Sequence, residues 1–342
     1  MSTLHDRVAL VTGGGRGIGR AIAIGLAKAG ARVAVTARTA AELEEVVGTI
    51  RSDGGHALAL TADLADRAAP ARVVRAVEEQ WRPVQVLVNN AGIGSSANPK
   101  PLAEFDDDFW DLSLAVNLTA PYLLCKAVLP AMLAAGWGRI INVASINGKT
   151  GALHGAAYAA TKHGLLGLTK TLALEVVRHG ITVNAVCPGP VRTVMNDRRV
   201  AYDAQRLGVS FEEQEATMTP VGRRLEPEEV APLAVFLAGR RRHNGHRPGL
   251  ERLRRRAHGV LSRSQRARLQ RWGGQAFPCF RVDRSPCKYT IILLVRSQRP
   301  VLETGPRRAC FIPPRAQFVA GVRVSGGRPY MLLNSAAFLT VD

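Results

Sequence analysis

Val8-Ala-Leu-Val-Thr12 runs directly into Gly13-Gly-Gly-Arg-Gly-Ile-Gly19, and this junction decides the fold. The apolar run predicts a short strand buried on both faces. The glycines behind it predict a tight turn (Gly13), close approach of the backbone to a ligand (Gly17) and close packing of a helix on the strand (Gly19). A small-residue helix then spans about Gly19 to Ala29 and closes on Gly30. Its N-terminus offers free N–H groups and partial positive charge, which suit phosphates. A Gly-rich loop by itself is only a flexible connection. Between a strand and a helix it predicts a dinucleotide site held by Gly13, Arg16, Gly17, Ile18 and Gly19.

The same alternation continues along the chain. Strands are predicted at Arg32–Ala37, His56–Leu60, Val84–Asn89, Arg139–Ala144 and Thr182–Val186. Helices are predicted at Ala40–Asp53, Ala68–Trp81, Phe105–Leu133, Ala157–Gly180 and Pro227–Ala238. Strands apolar at nearly every residue, separated by amphipathic helices, indicate an α/β fold: a doubly wound, Rossmann-like parallel sheet covered on both faces. Ligands of such sheets bind at the carboxyl ends of the strands. Residues 190–225 are polar, rich in Arg and Glu and without a sharp period, which predicts a mobile loop-and-helix lid over the substrate.

Several residues at those strand ends carry chemistry. The end of the second strand reads Val35-Thr-Ala-Arg38, with no acid to take a ribose 2′-hydroxyl. Arg38 and Arg16 suit a 2′-phosphate instead, so NADPH is favoured over NADH, although an arginine at a strand end also serves simply as a solvated charge. Asp63, followed by Leu64, is placed to accept from an adenine amino group or equally to cap a helix. Asn89-Asn90-Ala91-Gly92 ends the fourth strand, where Asn side chains can hold backbone and Gly92 lets a cofactor pass close. Ser145 ends the fifth. Tyr158 and Lys162, four apart on a helix, share one face. A phenol titrates near 10, and a nearby ammonium is expected to lower that. Ser145 would donate to a substrate oxygen. A Tyr-xxx-Lys pair alone is an ordinary helix surface; the conjunction points to proton transfer.

Thr12–Gly19, Asn89–Gly92, Asn117, Ser145, Tyr158-xxx-Lys162 and Pro188-Gly189 together resemble the short-chain dehydrogenase/reductase family over residues 6–238. Gly148-Lys149, His154, Tyr158–Gly164 and Asn184–Gly189 are similar to 3-oxoacyl-(acyl-carrier-protein) reductases and aromatic polyketide ketoreductases. The resemblance implies a catalytic set of Asn117, Ser145, Tyr158 and Lys162. Asn117 would kink a helix and hold a water linking Lys162 to solvent, and Lys162 would bind the nicotinamide ribose. Val191 and Thr193 would contact the nicotinamide amide. It further implies a seven-stranded sheet and, if the C-terminal strand is present, a homotetramer; with the two arginines it points to NADPH-dependent reduction of a ketone on a small molecule or acyl thioester. The alternatives are an NAD-dependent secondary-alcohol dehydrogenase and an impaired cofactor-binding product.

The pattern stops after Ala238, where a last strand is expected and an irregular tail stands instead. Residues 1–238 hold 24 Lys+Arg and 23 Asp+Glu, whereas 239–342 hold 22 and 4. An abrupt loss of acids with Arg far outnumbering Lys predicts either a disordered basic tail or a shifted reading frame in a GC-rich gene. Synonymous codons for Gly239–Val260, with one base removed, can spell a family-like last strand. A genuine basic extension would bind nucleic acid or an anionic surface, but no nucleic-acid motif interrupts it. The five cysteines form no CxxC pair, so no metal is expected, and neither a signal peptide nor a membrane span is read. A cytoplasmic enzyme is expected. Sequencing the gene across codons 236–262 tests the shifted frame: DNA unable to encode a family-like strand in another frame refutes it.

Overall fold

The computed structural model describes residues 4–239 and the backbone of 291–293. These fall in one compact unit, residues 1–298. Six strands follow the expected order: β1 (Val8–Thr12), β2 (Arg32–Ala37), β3 (His56–Thr61), β4 (Val86–Asn89), β5 (Gly138–Val143) and β6 (Ile181–Cys187). They alternate with α1 (Gly17–Lys28), α2 (Ala40–Ser52), α3 (Ala69–Gln80), α4 (Asp107–Leu114), α5 (Ala120–Ala134) and α6 (Ala156–Val176). After β6 come α7 (Val194–Leu207), α8 (Phe211–Thr217) and α9 (Pro227–Ala238), and then a short β7 (Ile291–Leu293). Every strand pair is parallel, in the order β3-β2-β1-β4-β5-β6-β7.

Period-two alternation divides each strand between two cores. Ala9, Val11, Val33 and Val35 face α1, α2 and α9, where Ile22, Leu26, Val46 and Val230 close the layer. Val8, Leu10, Ala34 and Leu87 face the other way, onto Val73, Leu124, Val128, Leu172 and Val176. Polar groups inside are tied into chains. Asn142 accepts from Asn89 Nδ2 at 2.8 Å and donates to Thr169 Oγ1 at 2.8 Å, and Thr169 in turn donates to Leu165 O at 2.7 Å. This chain ties β4 and β5 to α6.

The structure departs from the sequence pattern in four places. The predicted helix over Phe105–Leu133 is divided: α4 and α5 are joined by a π-helical turn, Ala115–Thr119, centred on Asn117. Such bulges commonly occur at functional sites. Residues 107–134 have the length and apolarity of a membrane span, but Val116, Ala120, Leu124, Val128 and Met132 spend that apolarity on the core. The polar stretch 190–225 is largely helical, α7 being capped by Thr193 and α8 by a Ser210–Glu213 capping box. Few apolar residues anchor these helices, which is why no period stands out. The glycine turn is also shorter than expected, since α1 begins at Gly17.

The fourth departure concerns the seventh strand. The sequence offers no recognisable strand after Ala238, yet β7 pairs with Ala185–Cys187 of β6. Its source is the short apolar run that begins at Ile291. The shifted-frame and basic-tail expectations otherwise concern residues outside those described.

Asn142→Ala leaves buried groups of Asn89 and Thr169 without their partner. Unfolding free energy is expected to fall by about 1–3 kcal/mol, measured by urea denaturation.

Candidate active site

A cleft of about 930 Å³ opens at the carboxyl ends of β1, β4, β5 and β6. It lies where the chain crosses from β3 back past β1 to β4, the place at which a doubly wound sheet leaves a crevice. One end is built on the glycine turn. Gly13 has φ +61°, and a Cβ there would stand 2.9 Å from Ala91 Cα. Asn90 holds the turn against β4: its Nδ2 donates to Thr12 O at 3.0 Å and Gly13 O at 3.1 Å. The backbone N–H groups of Asn90 and Ala91 both donate to Thr12 Oγ1, each at 3.0 Å. Gly19 does not line the cleft. A Cβ on it would collide with Gly13 O, so its smallness lets α1 pack behind the turn.

The other cofactor candidates surround this end. Arg16, Gly17, Ile18, Arg38, Asp63, Leu64, Asn90, Ala91 and Gly92 all line the cleft, as do Val191 and Thr193. Arg16 is the N-cap of α1 without a side-chain cap bond, and no acid occupies the first turn. The N–H groups there are therefore left for an anion. Arg16 and Arg38 are exposed, and Arg16 Nη1 lies 3.5 Å from Glu42 Oε1. Glu42 is not marked by the sequence, because an acid inside α2 carries no sign there of facing the glycine turn. Asp63 caps no helix; its Oδ1 accepts from Ala65 N at 2.9 Å in a local turn, and α3 starts further on. Val191 is buried and bridges Leu225, while Thr193 packs its methyl over Gly17, 3.1 Å from where a Cβ would be. These contacts give a turn-and-helix cradle that fits a nicotinamide dinucleotide.

At the opposite end Ser145, Tyr158 and Lys162 converge. Ser145 Oγ accepts from Asn147 N at 3.1 Å, which leaves its own hydroxyl hydrogen to donate. Tyr158 is half-buried; desolvation pushes its phenol above the ordinary value of 10.0, and a hydrogen bond with the Ser145 side chain pulls it partly back. The ammonium of Lys162 lies 5.6 Å from the Tyr158 ring centre. Burial is the largest influence on this phenol, and its direction is opposite to the lowering expected from Lys162. Lys162 is only 4 % exposed, and burial brings it down from 10.5 to about 8. Its Nζ donates to Val143 O at 2.9 Å.

Asn117 lies behind the cleft wall and does not line it. Its Oδ1 accepts from Ile93 N at 2.7 Å, and its Nδ2 donates to Ile93 O at 3.0 Å and Thr161 Oγ1 at 3.2 Å. The side chain is engaged in holding backbone, so its structural work is to fix the Gly92–Ile93 wall. A Cβ on Gly92 would stand 3.2 Å from Asn117 Oδ1 and 3.6 Å from Lys162 Nζ. Glycine there lets all three come together.

Residues 7–203 match the model of the short chain dehydrogenase family. A crystal structure of a single-residue variant of the actinorhodin polyketide ketoreductase with NADPH superposes with a TM-score of 0.66 at 42 % identity, covering 70 % of this chain and 92 % of that one. The 3-oxoacyl-(acyl-carrier-protein) reductase FabG of Pseudomonas aeruginosa is 39 % identical over 69 % of this chain and 91 % of its own length. The D-beta-hydroxybutyrate dehydrogenase of Rhizobium meliloti is 36 % identical over 68 % and 92 %. The chain belongs to the short-chain dehydrogenase/reductase family. It is an oxidoreductase of the CH–OH/C=O class that uses a nicotinamide cofactor.

Burial of Lys162 has a consequence for stability. The folded state binds this proton less tightly, at about 8 against 10.5, so folding is penalised in full below about pH 8. The penalty fades as pH rises toward 10.5. Lys162→Met removes it. The melting temperature of the variant relative to the wild type is expected to fall as pH is raised from about 7 to about 10.

Proposed function

We propose that this enzyme reduces a ketone with NADPH, the substrate being a 3-oxoacyl or polyketide carbonyl, with Tyr158 as proton donor. The observation that carries this is one cleft with Ser145, Tyr158 and Lys162 at one end and Arg16 and Arg38 at the other. The relatives named above as a polyketide ketoreductase and a 3-oxoacyl reductase support the substrate class. So does the mouth of the cleft, where Leu153, Val194 and Met195 are 54 %, 47 % and 41 % exposed and offer an apolar rim to an acyl chain.

A bound dihydronicotinamide supplies the hydride that the carbonyl carbon receives. The chain supplies the rest. The phenol of Tyr158, protonated at neutral pH as any phenol is, gives its proton to the carbonyl oxygen, so the ketone leaves as an alcohol. Ser145 donates a hydrogen bond to the same oxygen and steadies the charge that develops there. Lys162 keeps donors to spare beyond its bond to Val143 O, for a ribose hydroxyl and for the phenolate left on Tyr158. Asn117 keeps Gly92 and Ile93 in place beside Lys162; the water relay implied by the family resemblance would run past it. Val191 and Thr193 would bound the nicotinamide, and Asp63 and Leu64 the adenine.

Glu42 favours a second reading, an NAD-dependent dehydrogenase, because a carboxylate beside the glycine turn can accept from a ribose 2′-hydroxyl. The two readings separate in cofactor-consumption assays with 3-oxoacyl thioesters and cyclic ketones. Under the first, Arg38→Leu weakens NADPH roughly tenfold or more while sparing NADH, and Glu42→Gln strengthens NADPH. Under the second, Glu42→Gln weakens NADH and Arg38→Leu changes little. Tyr158→Phe should lower kcat by roughly 10²–10⁴-fold with cofactor binding unchanged in a titration. Retained turnover refutes the assigned proton donor.

A further inference from the structure

Arg224 is a cation almost without exposure: 2 % of its surface meets solvent. Burying a guanidinium is costly unless its donors are met by acceptors and its charge by anions. Here both are supplied by the lid. Arg224 Nη1 donates to Asp197 Oδ1 at 2.6 Å and to Asn196 Oδ1 at 3.3 Å, both in the first turn of α7. Its Nε donates to Glu215 Oε1 of α8 at 2.8 Å, and its guanidinium lies 5.6 Å from the Phe211 ring centre. Glu215 Oε1 accepts in addition from Arg192 Nη2 at 3.0 Å. One buried charge therefore gathers α7, α8 and the segment that leaves β6.

That segment forms the cleft wall. Arg192 N donates to Leu225 O at 2.7 Å, and Leu225 N to Pro190 O at 3.0 Å, making the bridge that fixes Val191. Thr193, which caps α7 and packs on Gly17, sits between this bridge and the Asn196–Asp197 turn that Arg224 grips. The next contact crosses the cleft: Ser96 Oγ donates to Met195 O at 3.0 Å. Residues 190–197 are thus tied at one end to Arg224 itself and at the other to its neighbour Leu225 and its partner Glu215, while the glycine turn and Arg38 are held by other elements.

We infer that Arg224 is a positioning residue: through Asp197, Asn196 and Glu215 it sets the nicotinamide half of the cofactor site and leaves the adenosine half untouched. The inference rests on the assignment of the cleft to a nicotinamide dinucleotide. Lysine cannot replace it fully, because one ammonium lacks the planar fork that reaches acceptors on two helices at once.

The experiment is calorimetric titration of the full-length chain with two probes. One is the dinucleotide that the wild type prefers, NADPH or NADH; the other is its adenosine half, adenosine 2′,5′-bisphosphate or AMP. For Arg224→Met the affinity for the dinucleotide is expected to fall roughly three- to thirtyfold, with the adenosine half bound within about twofold of wild type. Arg224→Lys should fall between, and Glu215→Gln, a milder change that keeps the buried arginine, should show the same selective loss. Equal loss of both probes across the foldable variants means general damage and overturns the inference, as does no loss of either. Failure of the wild type to bind either dinucleotide overturns the assignment of the cleft itself, a separate result.

Discussion

The hold of Asn90 on the glycine turn is the constraint on which the site depends. β1 and β4 are neighbours in the sheet although two strands and three helices separate them in sequence. Parallel pairing alone would leave their carboxyl ends free to diverge. Asn90 Nδ2 closes them by donating to Thr12 O and Gly13 O, and Thr12 Oγ1 answers by accepting from the backbone beyond β4. The turn can then sit in a left-handed conformation with α1 backed against it. The glycine-turn end of the cleft and the wall at Gly92 are consequently one corner.

Around Ser145, Tyr158 and Lys162 desolvation competes with hydrogen bonding. Burial pushes Tyr158 up and Lys162 down, moving both toward their neutral forms. A neutral phenol has a proton to give, and a lysine brought to about 8 exchanges its proton readily near neutral pH. Ser145 tempers the first effect, and Val143 O keeps the lysine oriented. The Asn117 bulge supports this arrangement from behind. A π-helical turn puts its amide against Ile93, so the helix that carries it braces the cleft wall rather than merely covering the sheet.

Much of this was legible beforehand because it is local. Six strands and their helices follow from apolar runs and 3.6-residue spacing, and Gly13, Asn90, Ser145, Tyr158 and Lys162 stand at places that the pattern already locates. What escaped was held by distant partners. Glu42 faces Arg16 only because α2 packs beside the turn. Asn117 itself is marked by the family resemblance, but its grip on backbone 24 residues away is not. α7 lacks a clear apolar stripe because ion pairs such as Arg199–Asp203 and Arg224–Asp197 do much of its anchoring, and charge pairs leave no period. β7 is a three-residue strand supplied from a run far along the chain from β6, too short for any pattern to mark it.

By itself the sequence determined the parallel α/β sheet, the crevice at its strand ends and the residue types able to move a proton and cradle a pyrophosphate. These depend on hydrophobic period, glycine conformation and functional-group chemistry, all properties of short segments. Only the tertiary structure decided which groups are desolvated, which acid faces the arginine of the glycine turn, and that a buried Arg224 gathers the lid. Burial and ion pairing depend on what is packed alongside in three dimensions, and no spacing along one chain records that.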